Sequence, residues 1–381
     1  MAGRRVLLTN FRLATRTGSE LYVSDLARGL LERGHTPIVY STVLGPLAER
    51  LRSATIPVVD DLDSLGAPPD VIHGQHNHEL LTALLHFPGV PAVRFCHGWH
   101  DDLPQPFPRI RRYVCVDDTT HDRVVFEAGI PEARTRVLLN FVDLDRFRAR
   151  SPLPPRPGRA LVFSNKAAIH LPAVRQACAP SGITVDAVGL SVGQPSGAPE
   201  SLLGGYDLVF AKGRCALEAL AVGTAVVLCD ATGVGPMVTT GELDRLRRLN
   251  FGLRALHRPL SADTIAAEVA RYDSSDAGLV MRRIRATAGL AAALDAIVEL
   301  YEEVIAEFGQ SGAEDQEGEL RAAAAYLAAL APRLRWQASP RATLYVALRE
   351  LFFRGLRVPG LRRLLRSARG MGAVRRSLRR S

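Results

Sequence analysis

The part of the chain that most limits its possible folds is residues 207–229. It consists of an apolar run, a Lys-Gly turn, a segment rich in alanine and leucine, Gly223 and a second apolar run. These lengths predict a buried strand, a turn, a helix from Cys215 to Ala221 and another buried strand. Two buried strands joined by a helix are typical of a parallel sheet covered by helices. The turn exposes N–H groups at the positive end of the helix dipole, where an anion can bind.

Three charged residues stand out against their surroundings. Glu218 lies inside the apolar helix, where a carboxylate is costly unless a neighbour hydrogen-bonds it. Among the 48 lysine and arginine residues only Lys166 and Lys212 are lysine, and each follows a predicted strand. A lysine kept where arginine is the rule indicates a compact positive charge at a strand end, although chance gives the same result.

The N-terminal half predicts a second unit of this kind, with strands 5–9 and 37–41 joined by a loop and a helix. Gly18 lies where the loop meets the helix, so the backbone can approach a phosphate or hydroxyl closely, although an ordinary helix start looks the same. His97 follows the predicted strand 90–95, and strand ends of open α/β sheets point into the ligand crevice. His97 is therefore a candidate acid, base or hydrogen-bonding group, with a buried structural histidine as the alternative.

The sequence offers little support for a metal or a redox cofactor. His73, His76 and His78 cluster at a strand end, but their spacing fits no standard metal site and a polar loop explains them equally well. The five cysteines form no metal-ligand spacing, and their odd number in a long chain is typical of reduced cytosolic thiols. No G-x-G-x-x-G or Walker motif occurs, which disfavours hydride transfer and NTP hydrolysis. We expect no metal and no cofactor.

A proline-rich linker at 151–158 divides the chain, and the α/β alternation restarts after it. We therefore predict two Rossmann-like α/β domains facing a cleft, over residues 1–150 and 151–309, the second closed by a helix. Residues 310–381 are predicted to form a helical, Arg-rich amphipathic extension.

The extension carries the positive charge of the protein. Residues 332–381 hold fourteen arginines and one glutamate, whereas the whole chain has a net charge of +9. A basic amphipathic segment can lie on an anionic membrane, pack on its own domain or bind nucleic acid by charge, and we favour the membrane. The N-terminus lacks the features of a signal peptide and no apolar run is long enough to span a bilayer. We expect a cytoplasmic protein, peripheral at the inner membrane face.

Four motifs, in this order, resemble the family 4-like retaining enzymes of the GT-B glycosyltransferases. They are the Gly loop and helix at 17–35, the Cys-His-Gly segment at 96–98, the Leu-Asn-Phe-Val-Asp stretch at 139–143 and the helix and strand at 217–227. The resemblance covers about residues 4–308. It implies a GT-B fold and the transfer of a sugar from a nucleotide-sugar to an acceptor, with retention and without a metal.

The resemblance also implies roles for particular residues. Glu218 would bind the donor ribose, Lys166 would neutralise the leaving group, and His97 would hold the transferred sugar. The remaining donor-binding residues would be at strand ends and turns: Gly18, Asn165, Gly189, Lys212, Gly213 and Arg214. Positive groups suit this task because charge grows on the diphosphate as the glycosidic bond breaks.

One position departs from the family pattern. Phe210 stands eight residues before Glu218, where the family usually has a second glutamate, and Lys212 follows in the turn. The sequence therefore leaves open a non-catalytic partner subunit of the same fold, and a nucleotide-sugar epimerase. The transferase itself is predicted to build a cell-envelope or surface glycan or glycolipid, with an unidentified glycan or lipid as acceptor and no nucleic-acid partner.

Overall fold

A computed structural model of the protein describes residues 3–15, 17–98, 103–194, 198–311 and 315–337. The chain divides into two compact units, Met1–Gln316 and Glu317–Ser381. The first unit contains two α/β domains, each built on its own sheet.

The N-terminal domain is a seven-stranded sheet with the order β3-β2-β1-β4-β5-β6-β7. Every neighbouring pair in it is parallel, as the buried apolar strands predict. Its strands are β1 (Arg5–Thr9), β2 (Thr36–Tyr40), β3 (Val58–Val59), β4 (Val71–Gly74), β5 (Ala92–Cys96), β6 (Ile110–Cys115) and β7 (Thr135–Val137). The helices between them are α1 (Gly18–Glu32), α2 (Pro46–Ser53), α3 (Asn77–His86) and α4 (Asp118–Asp122).

The C-terminal domain is a five-stranded sheet with the order β12-β11-β10-β8-β9. Its strands are β8 (Arg159–Phe163), β9 (Thr184–Val188), β10 (Leu208–Ala211), β11 (Ala225–Asp230) and β12 (Gly233–Met237). Its helices are α5 (Ala167–Cys178), α6 (Pro199–Leu202), α7 (Gly213–Val222), α8 (Leu243–Arg248), α9 (Ala262–Val269) and α10 (Ser274–Thr287). The two predicted Rossmann-like domains are therefore present.

The last strand is not evident from its sequence. Gly233 and Gly235 make residues 230–236 typical of a flexible loop at a strand end, but β12 turns back and pairs antiparallel with β11. The glycines explain this, because a Cβ at Gly235 would lie 2.6 Å from the carbonyl oxygen of Ala255. They mark a close approach of two backbones and not a mobile loop.

The sequence pattern over 278–308 is helical. The chain forms two helices there, because α10 ends at Thr287 and α11 (Leu290–Gln310) follows. Helix α11 packs into the core of the N-terminal sheet through Leu294, Ile297, Leu300 and Val304. Arg4 and Glu302 pair across this contact at 2.6 Å. The C-terminal part of the chain thus helps to complete the N-terminal domain, and the boundaries drawn at 150 and 309 stay predictions.

The second unit is described only through α12 (Gln316–Gln337). Leu320, Leu327 and Leu334 are exposed on this helix at intervals of seven residues. The Arg-rich segment from residue 338 onward lies outside the described residues. Among the helices that are described, none has the length and apolar character to cross a membrane.

Candidate functional site

Two neighbouring cavities open where the strands of both sheets end. The first chamber has a volume of about 400 Å³ and the second about 600 Å³. Parallel strands place their C-terminal loops at one edge of the sheet, and these loops line both chambers together with residues of the helices that follow them. The chambers share four residues, called here the shared wall: Thr17, Gly18, Arg214 and Cys215.

The shared wall brings together the N-termini of two helices from different domains. Helix α1 begins at Gly18 with Thr17 as its N-cap, and α7 begins at Gly213. Helix N-termini carry unpaired N–H groups and a partial positive charge. The wall is therefore a place where an anion can contact both domains.

Glu20, which the sequence motifs did not single out, holds the loop before α1. Its carboxylate is fully buried and accepts hydrogen bonds from the backbone N–H of Thr15 at 2.7 Å and of Thr17 at 2.9 Å. Burial opposes the charge, but these hydrogen bonds together lower the pKa of Glu20. The Thr-x-x-Glu spacing is a capping box and could have identified it.

The first chamber contains the predicted donor residues Gly18, Asn165, Gly189, Arg214 and Glu218. Gly189 has φ of +149°, and a Cβ there would lie 1.9 Å from the carbonyl oxygen of Ser164. Only glycine fits at this crossing of two strand-end loops.

A buried ion network connects the two domains beside the shared wall. Arg214 donates through Nε to Glu218 at 2.7 Å and through Nη2 to Asp25 on α1. Arg146 reaches the other oxygen of Asp25 at 3.0 Å. Burial raises the pKa of Glu218, against the opposing effect of Arg214. Burial works against the charge of Arg214, but Asp25 and Glu218 together raise its pKa.

Lys212 also has a buried partner, which the sequence did not indicate. Its ammonium lies 2.7 Å from Asp230 Oδ2 at the end of β11 and lines the second chamber. Burial opposes the charge of Asp230, but the contact with Lys212 lowers its pKa. Phe210 is fully buried inside β10. The position expected to hold a sugar-binding carboxylate is therefore a core position, two residues short of the chamber.

His97 lines the second chamber with Lys212, Gly213 and Arg214. It belongs to a chain of uncharged hydrogen bonds called here the histidine array. Its Nε2 meets Gln75 Oε1, and Gln75 Nε2 lies 2.7 Å from His73 Nε2. The array continues from His73 Nδ1 to the hydroxyl of Tyr301 on α11 at 2.6 Å.

The array fixes where His97 carries its proton. Because the Gln75 oxygen accepts, His97 Nε2 is the protonated nitrogen and donates to it. Burial lowers the pKa of His97 well below its usual range and lowers that of His73 to about 3. Both rings are therefore neutral at neutral pH. Gln75 and Tyr301 were missed, since their role depends on contacts between distant parts of the chain.

The other two histidines of the cluster have separate surroundings. His76 is the N-cap of α3 and accepts the backbone N–H of Phe11 at 3.4 Å, whereas His78 is exposed. In the described part of the chain, no group of three or more His, Cys, Asp or Glu side chains is placed to hold a metal ion. None of the five cysteines forms a disulfide bond within the described residues.

Lys166 is the one predicted site residue that lines neither chamber. It is exposed at the N-cap of α5, and its backbone N–H donates to Ser164 Oγ at 3.1 Å. Its neighbour Asn165 does line the first chamber. The structure thus gathers eight of the nine predicted residues around the two chambers and leaves Lys166 at their edge.

Comparisons with known proteins agree with this architecture. Residues 16–146 match the model of Glycosyltransferase Family 4. A glycosyltransferase from Rickettsia africae ESF-5 is 15% identical with a TM-score of 0.57, over 79% of this chain and 99% of that one. Anabaena Alr3699/HepE in complex with UDP-glucose is 15% identical with a TM-score of 0.57, over 79% of this chain and 100% of that one. The comparison with curated protein sequences found no match.

At these sequence identities, similarity to the solved structures is evidence for the fold alone. Each alignment covers nearly the whole length of the solved structure, so the similarity includes two α/β domains and not a single sheet. The predicted GT-B fold is confirmed. The chain thus has the fold of the GT-B glycosyltransferases, with an N-terminal domain that matches Glycosyltransferase Family 4.

Proposed function

We propose that the protein transfers a sugar from a nucleotide-sugar to an acceptor. The observation that carries this proposal is the shared wall, where two helix N-termini and Arg214 lie between two chambers. A nucleotide-sugar has a matching tripartite shape. Its nucleoside would occupy the first chamber beside Glu218, its diphosphate would contact the wall, and its sugar would reach the second chamber beside His97.

The donor base is left to experiment, and a uridine nucleotide is the first probe. The HepE structures contain UDP, UDP with glucose, or UDP-glucose. In this chain Asn165 and Gly189 lie in the first chamber with largely apolar neighbours, which suits a base and a ribose. Glu218 is proposed to accept from ribose hydroxyls.

We propose that the transfer retains the anomeric configuration. Among the described residues that line the second chamber the only carboxylate is Asp117, which accepts the backbone N–H of Thr120 at 2.6 Å and caps α4. A double displacement would need a free carboxylate nucleophile. Instead, the acceptor oxygen attacks the face from which the diphosphate leaves, and its proton passes to the departing phosphate oxygen.

Two groups would stabilise the charge that grows on the leaving diphosphate. The N–H groups of the shared wall are fixed in place, and fixed donors cost no reorganisation during the reaction. Lys166 is exposed and has no ion pair within the described part of the chain, so its flexible side chain is free to turn towards the phosphate. No metal or other cofactor is required for either contribution.

We further propose a membrane-associated role in making a cell-envelope or surface glycan or glycolipid, with the Arg-rich extension on the inner membrane face. The support is the amphipathic sequence of the tail and the exposed leucines of α12. Sedimentation with liposomes of anionic and zwitterionic lipid tests it. The full chain should bind anionic liposomes more strongly than a chain ending at residue 331, and equal binding would remove the proposal.

Donor binding tests the main proposal directly. We expect saturation-transfer NMR against a panel of nucleotide-sugars to show binding of at least one, and Glu218→Gln to weaken it about tenfold through the lost charge-assisted hydrogen bond. Glu268→Gln is the matched control, because Glu268 is a buried, ion-paired carboxylate of the same domain that lines neither chamber. Absence of any nucleotide-sugar binding would refute the transferase function.

A further inference from the structure

Four cationic side chains line the two chambers, and they belong to two classes. Lys212 and Arg214 are paired with buried carboxylates. Arg12 in the second chamber and Arg50 in the first have neither an ion pair nor a side-chain hydrogen bond within the described residues. Arg50 is exposed, so water satisfies it, but Arg12 is half-buried. Only Arg12 therefore combines partial burial with an unmatched charge.

The surroundings of Arg12 hold it in place. Its guanidinium carbon lies 4.7 Å from the centre of the Phe11 ring, and the Asn10 side chain donates to its carbonyl oxygen at 2.7 Å. The Phe11 ring in turn meets the His76 ring edge-on at 4.6 Å. Arg12 Nε is buried without a partner. Leaving a buried donor unpaired is costly, which indicates that a ligand completes this site.

Nothing in the described lining of the second chamber neutralises Arg12. Asp117 is its only carboxylate, and it is occupied with the N-terminus of α4. Burial raises the pKa of Asp117. His76 is neutral, since burial lowers its pKa to about 3. The chamber therefore presents a net positive group to whatever enters it.

We propose that Arg12 is a specificity residue that binds an oxyanion, a phosphate or carboxylate, on the acceptor. The inference rests on the proposed function and adds the substrate class: the acceptor is anionic. A guanidinium fork matches both oxyanions in two parallel hydrogen bonds, and Arg12 lines the second chamber.

The position of Arg12 favours the acceptor over the donor as the source of the oxyanion. Arg12 belongs to the loop after β1 of the N-terminal domain, as do its neighbours Phe11 and Asn10. It does not line the first chamber or the shared wall, where the nucleoside and diphosphate are proposed to lie. The second chamber is also the larger of the two, and both the transferred sugar and the acceptor must meet in it.

The test uses the full-length protein saturated with whichever nucleoside diphosphate it binds. Glycerol 3-phosphate is titrated as the anionic probe and glycerol as its neutral match, with binding followed by NMR. We expect Arg12→Gln to weaken the binding of glycerol 3-phosphate at least tenfold. Arg28→Gln is the matched control, because Arg28 is an exposed arginine of the same domain that lines neither chamber, and it should leave the binding unchanged. Melting temperatures confirm that both variants are folded.

The outcomes separate this inference from the proposed function. Equal binding of glycerol 3-phosphate to wild type and Arg12→Gln, or no binding to either, overturns the oxyanion site. A donor with an acidic sugar provides the second arm. If Arg12→Gln selectively weakens UDP-glucuronate relative to UDP-glucose, the oxyanion belongs to the transferred sugar and the acceptor assignment fails. If no nucleoside diphosphate binds, the proposed function fails, while the phosphate titration still tests Arg12.

Discussion

The two sides of the cleft hold their functional groups by opposite means. On the N-terminal side, His97 is fixed by the uncharged histidine array through Gln75 to α11. On the C-terminal side, Arg214 and Lys212 are fixed by buried ion pairs. Neutral hydrogen bonds set the position of a proton, whereas ion pairs set the position of a charge. The sugar and the diphosphate of the proposed donor need these two kinds of control.

The largest expected effect is on the ion-paired side. Arg214→Met leaves Glu218 with no cation at 2.7 Å and removes one of the two partners of Asp25. An uncompensated buried charge costs about 3–5 kcal/mol, so the free energy of unfolding in urea should fall by that amount. Arg33→Met is the control, because its partner Asp295 is mostly exposed and such pairs contribute about 1 kcal/mol or less.

A second substitution sharpens this result. Adding Glu218→Gln to Arg214→Met removes the unpaired carboxylate charge, so the free energy of unfolding should recover in part. If the double variant is no more stable than Arg214→Met, the destabilisation came from lost packing, and the C-terminal side is not held by charge.

The histidine array should give a smaller effect of a different kind. Gln75→Leu removes the partner of His73 Nε2 and of His97 Nε2. The two imidazole nitrogens would then be buried without this hydrogen-bond partner. An unsatisfied buried polar group costs about 1–3 kcal/mol, so we expect the free energy of unfolding to fall by about 2 kcal/mol. Because Gln75 acts as a positioning residue, ¹⁵N NMR of the His97 ring should also show a lower proton occupancy of Nε2.

The Gln75→Glu variant distinguishes a role of Gln75 in positioning the His97 ring from a role in packing alone. It keeps the shape but places a carboxylate between two imidazoles, so the pKa of His97 should rise. A new inflection should then appear in the pH profile of donor binding. An unchanged profile, with the His97 tautomer also unchanged in Gln75→Leu, would show that the array is structural only.

The acid sensitivity of the N-terminal side is a third prediction. Burial lowers the pKa of His73 and His76 to about 3, and that of His97 well below 6.5. Below pH 6.5 the unfolded chain binds protons that the folded chain does not, so stability is present above that pH and is lost as the pH falls. Each histidine contributes about 1.4 kcal/mol per pH unit.

Urea unfolding between pH 6.5 and pH 5 measures this slope before the carboxylates with lowered pKa begin to titrate. His76→Gln should reduce this slope by about 1.4 kcal/mol per pH unit, which corresponds to one proton. His78→Gln, at an exposed neighbour, is the matched control. A slope that His76→Gln does not alter would contradict the neutral, buried state of that ring.

The sequence could predict the parts of both sides that depend on local pattern. Gly18 lies at a helix start and Gly189 follows a strand, where turn residues are informative. Glu218 stands out by periodicity, as the carboxylate inside an apolar helix. The partners that hold the site could not be found in this way. Asp25 and Arg214 are 189 residues apart, and His73 and Tyr301 are 228 apart. Such pairs form only once both domains and α11 are packed, and no local pattern records them.

Lys166 gives the smallest expected effect on stability and the clearest comparison with Lys212. The Lys166 side chain is exposed and without a partner in the described residues, so Lys166→Ala should change the free energy of unfolding by no more than about 0.5 kcal/mol. Lys212→Ala should cost more, because it leaves Asp230 buried and unpaired. In transferase activity the order should reverse if Lys166 stabilises the leaving diphosphate.

Loss of one such stabilising group lowers kcat by about 10²–10³. We expect Lys166→Ala to lower kcat in this way. The KM of the donor should change little, because the Lys166 side chain lines neither chamber and is proposed to contact the phosphate only as charge develops on it. Lys166→Arg, which keeps the charge, should recover part of the activity. If Lys166→Ala leaves kcat unaffected, the shared wall alone stabilises the leaving diphosphate, and Lys166 is a solvated surface residue.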